Sequence, residues 1–273
     1  MNTYLKNKVV LITGASSGIG EATAYAFAQA GCKLSLAARN TEKLQAVKNT
    51  CEKMGASGVH IARVDVGVEA DCREWIQQSV AQFGTIHILI NNAGITMRAL
   101  FNELNLDVMR SVMDINFWGT VYCTKYALPY ILQNKGSVVG ISSVAGIKGL
   151  PARAGYSASK FAMHGFLESL RVENSNNHLH VGIVCPGYTN SNIRTAALNK
   201  LGQPQAESPF DESKLMPAET VANHIVNCVI RRKRFVVLTM QGHLTFWLNK
   251  FFPAWVDSLV YRVVAKEKDS PFS

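Results

Sequence analysis

The sequence predicts an α/β protein built on one doubly wound parallel sheet of about seven strands. Two observations carry the prediction. Short apolar runs alternate along the chain with longer segments whose apolar residues recur at helical spacing, a rhythm that gives a parallel sheet covered by helices on both faces. A glycine-rich turn also separates the first apolar run from the first helical segment, where a right-handed crossover would leave the sheet. The length of 273 residues fits one large domain.

The elements follow in order. Val9-Val10-Leu11-Ile12-Thr13 reads as the first buried strand, and a small-residue helix then runs to about Ala30. Lys33 to Ala38 is the second strand. The remaining strands are expected at Val59–Val64, Ile86–Ile90, Ser137–Ile141, His180–Cys185 and Arg234–Leu238. Between them lie segments such as Trp75-Ile76-Ser79-Val80-Phe83, spaced as one face of a helix. Two stretches break the rhythm. Asn190 to Met216 is polar and contains Pro204 and Pro209, so a long mobile excursion is expected there, of the kind that serves as a substrate lid. The other is the apolar tail beyond Gln241. The expected organisation is a dinucleotide-binding and catalytic domain over 1–241 and an amphipathic helical extension of it over 242–273.

Composition narrows the class. Hydrophobic residues make up 48% and charged residues 17%, which suits a soluble chain with a real core. The net charge of +9 favours anionic ligands or surfaces. The six cysteines (Cys32, Cys51, Cys72, Cys123, Cys185 and Cys228) form no C-x-x-C pair, a pattern of free thiols in a reducing compartment. Met1 to Lys8 has no apolar signal core, and no apolar run reaches the ~20 residues of a spanning helix. A cytoplasmic chain is expected, with peripheral contact to the cytosolic face of a membrane as an option.

The glycine-rich turn is Thr13-Gly14-Ala15-Ser16-Ser17-Gly18-Ile19-Gly20. Glycines let the backbone turn sharply and approach a pyrophosphate, and the next helix N-terminus attracts its charge. Gly14, Ser16, Ser17, Gly18, Ile19 and Gly20 are therefore candidate cofactor residues of a Rossmann fold. Gly14, Ser16 and Gly18 also fit a G-x-S-x-G nucleophile elbow, which keeps a serine hydrolase open as a rival. An elbow on the first strand, however, has no earlier loop to complete an oxyanion hole. At the end of the second strand Ala38 stands where NAD-binding folds place an acid, and Arg39 offers a guanidinium to a 2′-phosphate. NADP(H) is the expected cofactor.

Tyr156 and Lys160 are four residues apart, on one face of a helix. A nearby ammonium favours the phenolate, so the Tyr156 pKa is expected to fall towards neutrality, where the phenol can give or take a proton. Ser143 follows a strand and can hydrogen-bond a substrate oxygen.

With Asn91-Asn92-Ala93-Gly94, Asn116, Ser143, Tyr156-Ser157-Ala158-Ser159-Lys160 and Pro186-Gly187 in this order and spacing, residues 6 to 240 resemble the short-chain dehydrogenase/reductase family of single-domain type. The resemblance implies roles. Tyr156 would be the general acid/base, and Lys160 would tune it and hold the nicotinamide ribose. Ser143 would position the carbonyl, and Asn116 would anchor a water relaying protons. Asp65 and Val66 would lie at the adenine, and Asn92, Ala93 and Gly94 near the cofactor ribose. Pro186, Gly187, Thr189 and Ser191 would meet the nicotinamide end, with Thr189 and Ser191 standing where the family often has an aliphatic residue and then threonine. A homodimer or homotetramer is implied as well.

His178 and His180 would face one side of a strand, but no third metal ligand is evident, and sheet-edge histidines are expected. The basic run Arg231-Arg232-Lys233-Arg234 lacks the wider module of a nucleic-acid binder and reads as a solvated helix end. The tail, from Gly242 through Trp247, Phe251, Phe252 and Trp255 to Val264, is split by Pro253 into two helical pieces. It would pack over the substrate cleft, against a second subunit or into a lipid interface. Such a tail resembles reductases of steroids and lipid ketones. The expected activity is NADP(H)-dependent interconversion of a ketone and a secondary alcohol on a hydrophobic substrate: a steroid, a 3-keto sphingoid base or another lipid ketone. A catalytically silent NADP-binding regulatory protein is the alternative of another class.

Overall fold

The strands are β1 (Val9–Thr13), β2 (Lys33–Ala38), β3 (Gly58–Arg63), β4 (Ile88–Asn91), β5 (Ser137–Ile141), β6 (His180–Cys185) and β7 (Phe235–Val237). In the computed structural model, which describes residues 4–190, 193–194, 196–205, 215–267, 270 and 272, they form one parallel sheet in the order β3-β2-β1-β4-β5-β6-β7. β1 shows why the apolar run belongs in the middle. All five of its residues are buried, and alternate side chains serve opposite faces. Val10 and Ile12 join Phe27, Leu34, Leu36 and Ile225 in one core. Val9 and Leu11 join Trp75, Ile76, Leu89 and Leu167 in the other.

Nine helices are described: α1 (Gly18–Gln29), α2 (Thr41–Lys53), α3 (Glu69–Phe83), α4 (Leu106–Met113), α5 (Gly119–Gln133), α6 (Ala154–Glu173), α7 (Ala218–Ile230), α8 (Met240–Phe251) and α9 (Pro253–Ala265). The chain runs outward from β1 to β3, then returns to place β4 on the other side of β1. That reversal opens a crevice at the carboxyl ends of β1 and β4, where α/β sheets bind ligands. β4 begins at Ile88 rather than Ile86. Ile86 is fully buried but precedes the ladder. All six cysteines are buried and free.

The histidine expectation needs correction. His180 is not at a sheet edge: β6 lies between β5 and β7, and the imidazole is 4% exposed. Its nitrogens bond Ser137 Oγ at 3.0 Å and Lys233 O at 2.9 Å. His178 lies off the strand, in a left-handed turn (φ 57°), so the pair shares no strand face. The basic run is exposed at the end of α7, as expected, and one of its residues also holds neighbouring turns. The exposed Arg232 guanidinium donates to the carbonyls of Lys135 and His178, which ties the α7–β7 turn to the starts of β5 and β6.

The 190–216 excursion is pinned at its base. Asn190 N donates to Met216 O, and Met216 N to Tyr188 O. Leu198 exchanges hydrogen bonds with the 96–98 segment, accepting from Arg98 N and donating to Thr96 O, both at 2.9 Å. Residues 191, 192, 195 and 206–214 of the expected excursion lie outside the described residues. In the tail, Pro253 opens α9, where its missing N–H costs nothing. Phe246 packs on Phe235 at 5.5 Å between centroids, Val256 and Val264 are buried, and Lys148 pairs with Asp257 at 2.5 Å. No described helix is long and apolar enough to cross a membrane.

Burial holds His180 and His164 neutral, lowering each to about 4. The Lys160 charge adds to this at His164, and Arg232 adds at His180 against the opposing bond to Lys233 O. In the unfolded chain both protonate near pH 6.5, so their contribution to stability is present above that pH and is lost as pH falls towards 4. The melting temperature is therefore expected to fall steadily from pH 7 to pH 5, with a shallower fall in His180→Gln. A flat profile in the parent protein would contradict this.

Candidate active site

The phosphate end is built by glycine geometry. Gly14 and Gly18 have φ of +65° and +57°, a region that side chains avoid. A Cβ on Gly20 would lie 2.2 Å from Gly14 O, so only glycine lets α1 begin this close to β1. Asn92 secures the turn. Its Nδ2 donates to Thr13 O at 2.9 Å and Gly14 O at 3.2 Å, while Thr13 Oγ1 accepts from the N–H groups of Asn92 and Ala93. Ser17 caps α1 in extended conformation without a side-chain hydrogen bond. First-turn N–H groups without such a cap suit a phosphate.

Arg39 is exposed at the end of β2 and lines the same cleft. Asn40, beside it in the wall, caps α2 by accepting from Lys43 N at 2.8 Å. Asp65 Oδ1 accepts from Gly67 N at 3.0 Å, which folds the β3–α3 connection into the wall of the cleft. Val66 supports it against Gly119, where a Cβ would come within 2.8 Å.

The chemical end sits on α6 and the ends of β4, β5 and β6. Lys160 is 3% exposed, and its Nζ donates to Ile141 O at 2.8 Å, 5.7 Å from the centre of the Tyr156 ring. Gly94 leaves room for it: a Cβ there would be 3.5 Å from Nζ and 3.1 Å from Asn116 Oδ1. Asn116 is fully buried in a π-turn, Asp114–Trp118, between α4 and α5, the kind of insertion that often marks function. Its Oδ1 accepts from Ile95 N at 2.8 Å, and its Nδ2 donates to Ile95 O and Ser159 Oγ, both at 2.9 Å. Ser159 Oγ in turn donates to Tyr156 O at 2.7 Å. Asn116 thus joins the β4 end to the Tyr156 turn. Ser143 caps a short 3₁₀ turn, accepting from Ala145 N at 3.2 Å, and hydrogen-bonds the Tyr156 phenol.

The expected fall of the Tyr156 pKa is overturned. Burial raises it, and the Ser143 hydrogen bond and the Arg153 charge only partly offset the rise. The physical reason is burial, which disfavours the charged phenolate; Lys160 donates to a backbone carbonyl and not to the phenol. Burial brings Lys160 itself down to about 8. The phenol therefore holds its proton, the form in which it acts as an acid.

Together these residues line one cleft of about 460 Å³: Gly14, Ser16, Ser17, Gly18, Ile19, Arg39, Asp65, Val66, Asn92, Ala93, Gly94, Ser143, Tyr156, Lys160, Pro186, Gly187 and Thr189. Gly20 and Asn116 stand behind its wall. Ser191 lies outside the described residues. Thr189 is buried, with its Oγ1 on Gly187 O at 3.2 Å. Gly187 itself abuts Thr239, at 2.6 Å from a built Cβ. No histidine is among the described residues of this lining, so Ser16 has no base for hydrolysis here.

Four residues escaped sequence reading. Leu150, Arg153 and Tyr188 line the substrate side. Arg153, three residues before Tyr156, had a helical-spacing signal of its own. His164 Nε2 lies 2.6 Å from Ser142 Oγ and 3.8 Å from Cys185 Sγ, bracing the strand ends under Ser143. A dinucleotide fits the glycine cradle, the open α1 terminus and Arg39.

Comparisons with known proteins agree with this geometry. The family model described as short chain dehydrogenase matches residues 8–201. The chain is 37% identical over 252 residues to 11-beta-hydroxysteroid dehydrogenase-like 4A of Arabidopsis thaliana, covering 91% of this chain and 82% of that protein. It is 35% identical over 267 residues to dehydrogenase/reductase SDR family protein 7-like of Drosophila melanogaster, covering 96% and 81%. A short chain dehydrogenase/reductase from Burkholderia phymatum, solved with NAD, superposes with a TM-score of 0.81 at 25% identity over 92% of this chain and 96% of that one. An alcohol dehydrogenase from Thermococcus sibiricus, solved with 5-hydroxy-NADP, shares the fold with a TM-score of 0.73 at 23% identity over 85% and 95%. The chain belongs to the short-chain dehydrogenase/reductase family and is an oxidoreductase of that family.

Proposed function

We propose that this chain is an NADP(H)-dependent oxidoreductase that interconverts a hydrophobic ketone and its secondary alcohol. The observation that carries the reading is the buried Tyr156 phenol, hydrogen-bonded to Ser143 beside the buried Lys160 in the cleft that the glycine turn lines. The nicotinamide, when bound, supplies or accepts a hydride. Ser143 Oγ holds the substrate oxygen, and Tyr156 Oη gives it a proton in reduction or takes one in oxidation. Lys160, held by Ile141 O, keeps its ammonium 5.7 Å from the Tyr156 ring centre. Tyr156→Phe is expected to lower kcat/KM by about 10²-fold or more with NADPH binding retained. Undiminished turnover would refute the mechanism.

NADP(H) preference rests on Arg39 beside Ala38. A charge-assisted bond to a 2′-phosphate is worth about 1.5–3 kcal/mol, so Arg39→Ala should weaken NADPH roughly 10–100-fold and leave NADH nearly unchanged. Equal effects on both cofactors would contradict the assignment.

The lipid-ketone substrate class is supported by the tail and by relatives named as hydroxysteroid dehydrogenases. Trp247, Phe251 and Trp255 are 56%, 68% and 56% exposed, with Lys250 folded over the rings of Phe246 and Trp247. An aromatic face flanked by cations suits a peripheral membrane contact. A homo-oligomer is proposed on a separate surface, where Trp118 and Phe161 are exposed beside α5 and on α6. The chain should float with anionic liposomes, and the triple change Trp247→Ser, Phe251→Ser and Trp255→Ser should abolish this without unfolding it. Equal flotation of both would sink the membrane reading.

A further inference from the structure

Arg153 is not part of the proton-transfer set, yet it stands at the substrate side of the cleft. It occupies the N-cap of α6, three residues before Tyr156. Its side chain is 11% exposed, and its charge is felt by both the Tyr156 and Tyr188 phenols. One end of the guanidinium is fixed: Nη2 donates to both oxygens of Glu267, at 3.0 and 2.9 Å. Glu267 comes from beyond α9, is 8% exposed, and also pairs with Arg98 at 3.3 Å. The other end differs. Arg153 Nη1 is buried and has no hydrogen-bond partner.

A buried guanidinium N–H without an acceptor is costly, and native proteins rarely tolerate one unless something else fills the position. This one belongs to a residue in the wall of a ligand cleft. Among the described lining residues the carboxylate is that of Asp65, and the Glu267 carboxylate on Nη2 is shared between two guanidinium groups, Arg153 and Arg98, which leaves the cluster with a net positive charge. A planar guanidinium matches the paired oxygens of a carboxylate or phosphate better than it matches a lone carbonyl. We propose that Arg153 is a substrate-selecting residue that binds an oxyanion, a carboxylate or phosphate ester, carried by the hydrophobic ketone, with Glu267 holding its guanidinium in place. The proposal rests on the ketone-oxidoreductase reading, since it names what that substrate carries.

Binding without turnover tests it. Dodecanoate, dodecyl phosphate and 1-dodecanol are titrated calorimetrically, each below its aggregation concentration, into the full chain and into Arg153→Gln. That variant leaves Glu267 paired with Arg98, so the buried acid keeps a counter-charge. The parent should bind one or both oxyanions about tenfold or more tighter than the alcohol, and Arg153→Gln should remove that preference while leaving 1-dodecanol unchanged. The two anionic probes show whether carboxylate or phosphate is the better headgroup, and inorganic phosphate shows whether the headgroup alone suffices. Equal affinities of the parent for all three amphiphiles would overturn the proposal even if the variant failed to fold. So would a preference that survives Arg153→Gln, which would place the anion on the exposed tail. Failure of the chain to reduce any ketone would count against the reductase reading instead, and leaves this binding result to stand or fall by itself.

Discussion

Burying the Lys160 ammonium is the constraint around which the site is arranged. A cation taken out of water needs a fixed acceptor, and Ile141 O at the end of β5 provides it. That bond sets the height of α6 against the sheet, and so the height of Tyr156 one turn earlier. Gly94 and the π-turn holding Asn116 then make room for the ammonium and tie the β4 end to the same helix. Two strand ends, one helix and one helix irregularity all answer to one charge.

The consequence for chemistry is a separation of roles. The phenol is kept protonated by burial and steered by Ser143, while the ammonium is lowered to about 8 by its own burial. Burial thus moves the two titrations apart, the phenol upwards and the ammonium downwards. The proton sits on the group that faces the cleft, and the positive charge lies beneath it. The tail extends the same logic. Its carboxylate, Glu267, reaches back to Arg153, three residues before Tyr156, so the segment with the exposed aromatic face is mechanically continuous with the cleft wall.

Much of this was legible in the chain. Val9–Thr13, Lys33–Ala38, Ser137–Ile141 and His180–Cys185 form the strands their apolar runs predict, because a parallel sheet buried on both faces needs continuous apolar segments. The glycine turn was legible because positive φ and close approach leave glycine as the residue that fits. What escaped depends on long-range contact. The pairing of Arg153 with Glu267 spans 114 residues and has no local signature. The π-turn at Asp114–Trp118 looks like ordinary helix in composition. The direction of the Tyr156 shift is set by its burial, which the i and i+4 spacing does not reveal, since spacing fixes the helix face but neither the depth of the ring nor the acceptor of the Lys160 Nζ. His180 looked like an edge residue because a strand's place in the sheet is set by topology, not by its own residues.

The central claim is that this constellation moves a proton at one substrate oxygen while a nicotinamide exchanges hydride with the attached carbon. The most direct measurement supplies NADPH deuterated at C4 together with a long-chain ketone, and follows the label by mass spectrometry. The account predicts an alcohol carrying one deuterium on the carbinol carbon from one face of the cofactor. An alcohol without the label, or bound labelled cofactor with no alcohol across a broad panel of ketones, would contradict it.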